Sequence, residues 1–276
     1  MSGIRRARTL PLNIILFVIA VIFLLPILLI LISSVKTSQD LAMNPFGLPR
    51  QITFKYFAQA FSTMHYLRSL MNTAIIAVCT VGVLLVIASM AAYAIARKNN
   101  RLYNTLYMFF LAGLIVPFQM VMIPMYKVML GIHLVSTYQG MIFLYLALLS
   151  PFSVFLLTGF VKTVPRELEE AAQIDGCGLY RTFFTIVFPL LTPALSTVAV
   201  LNIFSIWNDF LAPMLYLQKN AMMTLTVQLG SFIGMYNNNW SLIFTGVCMI
   251  VAPMIVIFIM AQRFIISGIT AGAVKG

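Results

Sequence analysis

The sequence predicts an all-α integral membrane protein, a polytopic bundle of about six transmembrane helices with a short helical excursion on the cytoplasmic side between the fourth and fifth. Two observations carry this. Of the 276 residues, 62% are hydrophobic and 8% charged, whereas a soluble globule ordinarily needs about 25% charged residues to cover its surface. Apolar runs long enough to cross roughly 30 Å of hydrocarbon also recur along the whole chain instead of once at its start.

The runs fall at about 12–33, 71–96, 104–126, 138–161, 190–218 and 241–262, within a single transmembrane domain over 1–276, and Asp209 is the only charged residue inside any of them. Without water at that depth each backbone polar group must be paired within its own segment, which makes the runs helices. The first follows Arg5, Arg6 and Arg8, but it is too long for a secretory signal and no small-residue cleavage site follows, so it reads as a retained first helix. Prolines stand inside several spans, at Pro26, Pro117, Pro151, Pro193, Pro213 and Pro253. Each removes a backbone donor and is either ordinary membrane-helix irregularity or a bend around a pathway.

Six spans place both termini on one side. If that side is the cytoplasm, the inner segments hold Arg5, Arg6, Arg8, Arg97, Lys98, Arg101, Lys162, Arg166, Arg181, Arg263 and Lys275, and the outer ones Lys36, Arg50, Lys55, Arg68, Lys127 and Lys219. Eleven against six favours cytoplasmic termini by the positive-inside bias. The net charge of +11 is thereby a matter of topology; spread over many short loops, it forms no stripe for nucleic acid. Cys79, Cys177 and Cys248 are scattered without metal-ligand spacing, so neither a disulfide framework nor a metal is expected.

The stretch 162–189 carries more structural punctuation than a connection between membrane helices needs. Pro165 suits a first helical position, and Glu167, Glu169 and Glu170 place negative charge where a helix dipole is positive. Gly176 and Gly178 can adopt the left-handed angles that end one helix and begin another. Leu168, Ala171 and Ala172 fall on one side at helical spacing, a short apolar face suited to a groove or to the inner leaflet. Four of the six acids in the chain lie here, which disfavours the leaflet because a surface-resting helix is ordinarily basic on its polar face.

Glu170-Ala171-Ala172, then Ile174-Asp175-Gly176, and later Ile186, Pro189 and Leu190, resemble the cytoplasmic signature of permease subunits in bacterial ABC importers. Cys177 departs from the pattern, standing where that family more often has alanine. Asn72-Thr73, Trp207-Asn208-Asp209-Phe210-Leu211 and the tail from Gln262-Arg263 through Gly268 and Thr270 to Gly272-Ala273-Val274-Lys275-Gly276 are similar to the carbohydrate-uptake branch. Within it the chain looks most like the short-tailed, maltose-type partner.

That resemblance implies a location in the bacterial or archaeal cytoplasmic membrane. It implies a second homologous permease, a dimer of ABC ATPase subunits and an extracytoplasmic solute-binding protein around this chain in the lipid bilayer. ATP and Mg would sit on the ATPases, since this chain has no Gly-x-x-x-x-Gly-Lys-Ser/Thr loop; no enzymatic activity and no cofactor are expected of the permease itself. The resemblance makes the loop helix a coupling helix, with Glu169, Glu170, Ala171, Ala172, Ile174, Asp175 and Gly176 at the ATPase. It also carries the tail, Gly272, Val274 and Lys275, to the ATPase interface, although a chain end frays by default.

Trp207, Asn208 and Asp209 are candidates for the border of a sugar path. A carboxylate inside a span equally well pairs with a neighbouring helix or lines a wet wall. Two other classes compete. An ion-coupled secondary transporter would need a relay of mid-membrane ionisable groups, and only Asp209 is available. A membrane-embedded enzyme would need clustered acid, base or metal groups near one interface. Within the importer family, another polar solute such as glycerol phosphate is the alternative to sugar.

Overall fold

The computed structural model describes residues 2–98, 100–234 and 238–273. Its helices are α1 (Ser2–Ser34), α2 (Ser38–Met43), α3 (Lys55–Thr63), α4 (Tyr66–Arg97), α5 (Arg101–Ile115), α6 (Phe118–Gly131), α7 (Tyr138–Val161), α8 (Glu167–Ile174) and α9 (Leu179–Thr182). After a π-helical turn at Phe183–Val187 come α10 (Phe188–Leu190), α11 (Thr192–Asn208), α12 (Leu211–Tyr216), α13 (Leu225–Leu229) and α14 (Trp240–Ala273), with single 3-10 turns at Asn220–Met222 and Gly230–Phe232. Four of these helices are long and apolar enough to cross a membrane, or up to six spans exist if each of two bent pairs counts as one.

The bent pairs revise two of the expected spans. The run 104–126 is two helices, α5 and α6, meeting at 107°. The cause is Pro117, which disfavours helical backbone at the preceding residue; Val116 is extended, at φ −79° and ψ 111°. The run 190–218 does not continue past Asn208, because Asp209 is extended with ψ 128°. The helix leading into that run bends by 74° at Leu191, between α10 and α11. Pro151, by contrast, lies within continuous α7. Gly113 of α5 lies opposite it, so close that a Cβ there would stand 2.9 Å from the proline ring, which lets the two helices pack tightly at this point.

The chain divides into two compact units. The first comprises 1–66 and 228–253. In it the first turns of α14 are tied to the end of α1 by Thr245, whose hydroxyl donates to the Ser34 carbonyl at 3.1 Å, and to α2 by the Ser38–Ser241 hydroxyl pair at 3.0 Å. Lys36 is fully buried, its ammonium donating to the carbonyls of Asn44 and Pro45 at 2.8 and 3.2 Å.

The second unit comprises 67–227 and 254–276. It has two apolar cores. One, toward the α8 end, gathers Leu84, Ala88 and Tyr93 of α4, Val154 and Leu157 of α7, Phe183 and Val187 of the π turn, and Leu195 of α11. The other joins Ile76 of α4, Met129 of α6, Leu144 and Tyr145 of α7, and Ile206, Ala212 and Tyr216 around the α11–α12 break. α14 carries the candidate span Trp240–Gln262, matching the expected 241–262, and its helix runs on to Ala273. Gly272 is in its last turn, while Val274 and Lys275 lie outside the described residues.

Candidate functional site: the loop helix and the α11 break

The stretch 162–189 forms the expected pair of short helices. Pro165 lies just ahead of α8, and Arg166 takes the cap position, its carbonyl accepting from the amides of Glu169 and Glu170 at 2.9 and 3.0 Å. The far end of α8 closes in a Schellman motif. The Cys177 amide donates to the Ala172 carbonyl at 2.9 Å, the Gly176 amide donates to Gln173 at 3.0 Å, and Gly176 supplies the left-handed residue at φ +78°. Gly178 does not share that role; it is extended ahead of α9, at φ −73°.

The expected functional residues of α8 part into two faces. Glu169 and Ala172 point inward, 6% and 4% exposed. Glu170, Ala171, Ile174, Asp175 and Gly176 are exposed, Ile174 by 86%. The apolar face read from the sequence is therefore corrected at Ala172, which packs under the helix. The outward stripe is Leu168, Ala171 and Ile174, extended by exposed Leu179 and Tyr180 of α9.

Glu169 is held from α4. Its Oε1 accepts from Arg97 Nε at 2.7 Å and lies 2.6 Å from Arg97 Nη2, and its Oε2 accepts from the Tyr93 hydroxyl at 2.7 Å. Arg97 Nη2 also donates to the Val164 carbonyl at 2.8 Å. Both partners are largely buried, with side chains 13% and 8% exposed, so the two charges are removed from water together and compensate each other there. Tyr93 stacks obliquely on Phe183 of the π turn, with ring centroids 5.2 Å apart. Sequence reading missed this arrangement, since Arg97 appeared there only as a topological charge.

The three α11 candidates also separate. Trp207 is 3% exposed and packed into the fold. Asn208 is exposed, its amide donating to the Phe204 carbonyl at 2.9 Å. Asp209 organises the break: its Oδ1 accepts from the amides of Leu211 and Ala212 at 2.9 and 3.3 Å, capping α12, while Oδ2 accepts from the Tyr145 hydroxyl at 3.0 Å. Its own carbonyl accepts from Thr226 Oγ1 at 2.6 Å, closing the segment 209–226 on itself.

That segment is fastened elsewhere too. Asn72 Nδ2 donates to the carbonyls of Ala221 and Met223 at 3.0 and 2.9 Å, and its Oδ1 accepts from Tyr138 at 2.7 Å. Thr73 Oγ1 accepts from the Leu225 amide at 3.1 Å. Among the described residues no three His, Cys, Asp or Glu side chains gather as metal ligands would.

Asp209→Ala should lower the thermal stability of the purified chain by about 2 kcal/mol, the combined scale of a lost cap and a lost buried hydrogen bond. Asp209→Asn, which keeps the capping oxygen, should lower it by less. Equal melting curves for all three chains would remove Asp209 from this structural role.

These features define a multi-pass membrane protein whose cross-membrane helices are joined at one end by a clamped, partly apolar helical loop. The model of the family "binding-protein-dependent transport system inner membrane component" matches residues 84–266, a stretch that contains both α8 and the α11 break. The chain is 35% identical over 258 residues to the probable starch degradation products transport system permease protein AmyC of Thermoanaerobacterium thermosulfurigenes, covering 94% of each chain. It is 35% identical over 276 residues to the melibiose/raffinose/stachyose import permease protein MelC of Bacillus subtilis, covering 99% of this chain and all of that one. Its fold matches a chain of a bacterial ABC transporter involved in import of the acidic polysaccharide alginate, with TM-score 0.79 and 21% identity, over 95% of this chain and 98% of that one. The chain belongs to the binding-protein-dependent transport system inner membrane components, as its loop signature led us to expect.

Proposed function

We infer that the chain is a membrane-spanning permease subunit of an ATP-driven importer for sugars or oligosaccharides, and that it performs no chemistry of its own. The observation that carries this reading is α8: an exposed apolar and acidic face on one side, and a buried carboxylate fastened to a membrane helix on the other. A lone lipid-facing helix has no use for the first, and a passive connection has none for the second. The substrate class rests on the relatives, which are named for starch degradation products and for melibiose, raffinose and stachyose.

In this reading the termini and α8 are cytoplasmic, and an ABC ATPase takes Leu168, Glu170, Ala171, Ile174 and Asp175 into a cleft. ATP and Mg belong to that partner. A second permease completes the path, a solute-binding protein delivers the sugar from outside, and the end of α14 with Gly272, Val274 and Lys275 reaches the ATPase. Of the three α11 candidates, Asn208 is the one exposed to meet a solute. The ion-coupled alternative loses ground because both Asp209 oxygens are occupied by the fold.

Purification from the native membrane in mild detergent should recover a Walker-motif ATPase and a second polytopic permease. Adding the binding protein with raffinose or a maltooligosaccharide should then raise ATP hydrolysis. A homo-oligomer free of ATPase would overturn the reading, and ATPase stimulated by glycerol phosphate but by no sugar would change the solute class. Repeating the assay with residues 272–276 removed tests the tail: undiminished stimulation would retire its contact.

A further inference from the structure

Resting on that reading, a division of labour follows within α4. This helix has 32 residues and contains no proline. Of the other candidate spans of residues 67–227, two are broken, with α5 and α6 meeting at 107° and the helices on either side of Leu191 at 74°, while α7 is continuous but loses a backbone donor at Pro151. A continuous helix without proline transmits displacement along its axis, whereas a break or a proline hinge absorbs it. Arg97 and Tyr93 at one end of α4 hold Glu169 of α8. At the other end, Asn72 and Thr73 hold the carbonyls of Ala221 and Met223 and the amide of Leu225. The two grips lie roughly 38 Å apart along the helix axis.

We propose that α4 is a transmission rod, which delivers displacement of α8 by an ATPase, through Glu169, Arg97 and Tyr93, to the segment 221–225 at the far end of the same helix. Glu169 is therefore a positioning residue that acts inward on α4, not a contact for the ATPase, from which its 6% exposure withdraws it. Two hydrogen bonds and an ion pair to its two carboxylate oxygens restrict its rotation, so α8 and the end of α4 move together. The far grip is equally specific: Asn72 makes three hydrogen bonds, and Tyr138 fixes which way its amide faces.

The test uses the assembled transporter in lipid nanodiscs, with Cys79, Cys177 and Cys248 replaced by serine and one reporter, Lys219→Cys, next to the fastened segment. Lys219 is exposed. Its labelling rate with a membrane-impermeant maleimide is compared with and without a non-hydrolysable ATP analogue. Nucleotide should change the rate by about tenfold, the ordinary scale of coupling between distant sites. That change should vanish in Glu169→Ala and, separately, in Asn72→Ala while the ATPase remains bound, and Glu169→Gln, which keeps the Arg97 contacts, should retain most of it.

Glu169→Ala leaves the buried Arg97 charge without its carboxylate, holding only the Val164 carbonyl, so if it does not assemble, Asn72→Ala decides the question with the α8 clamp intact. A nucleotide response that survives in the assembled variants overturns the rod while leaving the importer reading in place, as does an unmodified complex that binds ATPase but shows no response at position 219. An unmodified chain that retains no ATPase overturns both together.

Discussion

Ile174→Asp will strip the ATPase from the purified complex while leaving the permease folded. The side chain is 86% exposed at the last turn of α8, so the chain's own stability should change by no more than about 0.5 kcal/mol. In the proposed docking cleft the same side chain becomes buried. Losing a fully buried isoleucine removes about 1.5–3 kcal/mol, and enclosing a carboxylate without a partner adds to that. At about 1.4 kcal/mol per factor of ten, affinity should fall at least roughly a hundredfold. Co-purification reads the loss, thermal unfolding reads the fold, and Ile174→Leu should behave like the unmodified chain. ATPase retained in full by Ile174→Asp would place the docking surface elsewhere than the outward stripe of α8.

Gly176→Val should abolish solute-stimulated hydrolysis by a different route. A Cβ at Gly176 would meet nothing within 4 Å, so the substitution acts through backbone angle alone. At φ +78° a β-branched residue is strained by at least about 1–2 kcal/mol, which the Schellman closure cannot absorb without giving up its two carbonyl bonds. The end of α8 should fray, and amide exchange at Asp175, Gly176 and Cys177 should quicken by about tenfold. Asparagine tolerates the left-handed region better, so Gly176→Asn should keep a substantial part of the stimulation. Equal activity of Val and Asn at this position would show that the turn's handedness is not what the loop requires.

The sequence displayed α8 because its signals are local. Three glutamates after Pro165 and a glycine eight or nine residues on are read without knowing anything else about the chain. It did not display which glutamate turns inward. Glu169 and Glu170 are adjacent on an eight-residue helix, and the difference between them is the presence of Arg97 and Tyr93, more than 70 residues earlier in the chain. The same holds for Ala172, whose small side chain suits a groove on either side of the helix.

Proline reading met the same limit. Pro117 and Pro151 look alike in sequence, but one sits at a 107° bend and the other inside an unbroken helix, and the residue type alone does not distinguish them. At Asp209 hydropathy averaging carried the fifth span through a residue whose short carboxylate prefers to cap a new helix. The capping role was legible in principle, since an aspartate two residues ahead of Leu211-Ala212-Pro213 is an N-terminal signal. The long apolar run around it concealed that signal.

The π turn at Phe183–Val187 sets a phase. Each residue of an α-helix advances the chain by about 100° around its axis, and a π turn accommodates one residue more than the regular ladder. The direction that Leu179 and Tyr180 face, relative to the helix that begins at Thr192, is therefore set jointly by this surplus residue and by the 74° bend at Leu191. Adding or removing one residue there would turn the apolar stripe by about 100° around the helix axis. In this sense Phe183–Val187 is the dial that sets the bearing of the apolar stripe.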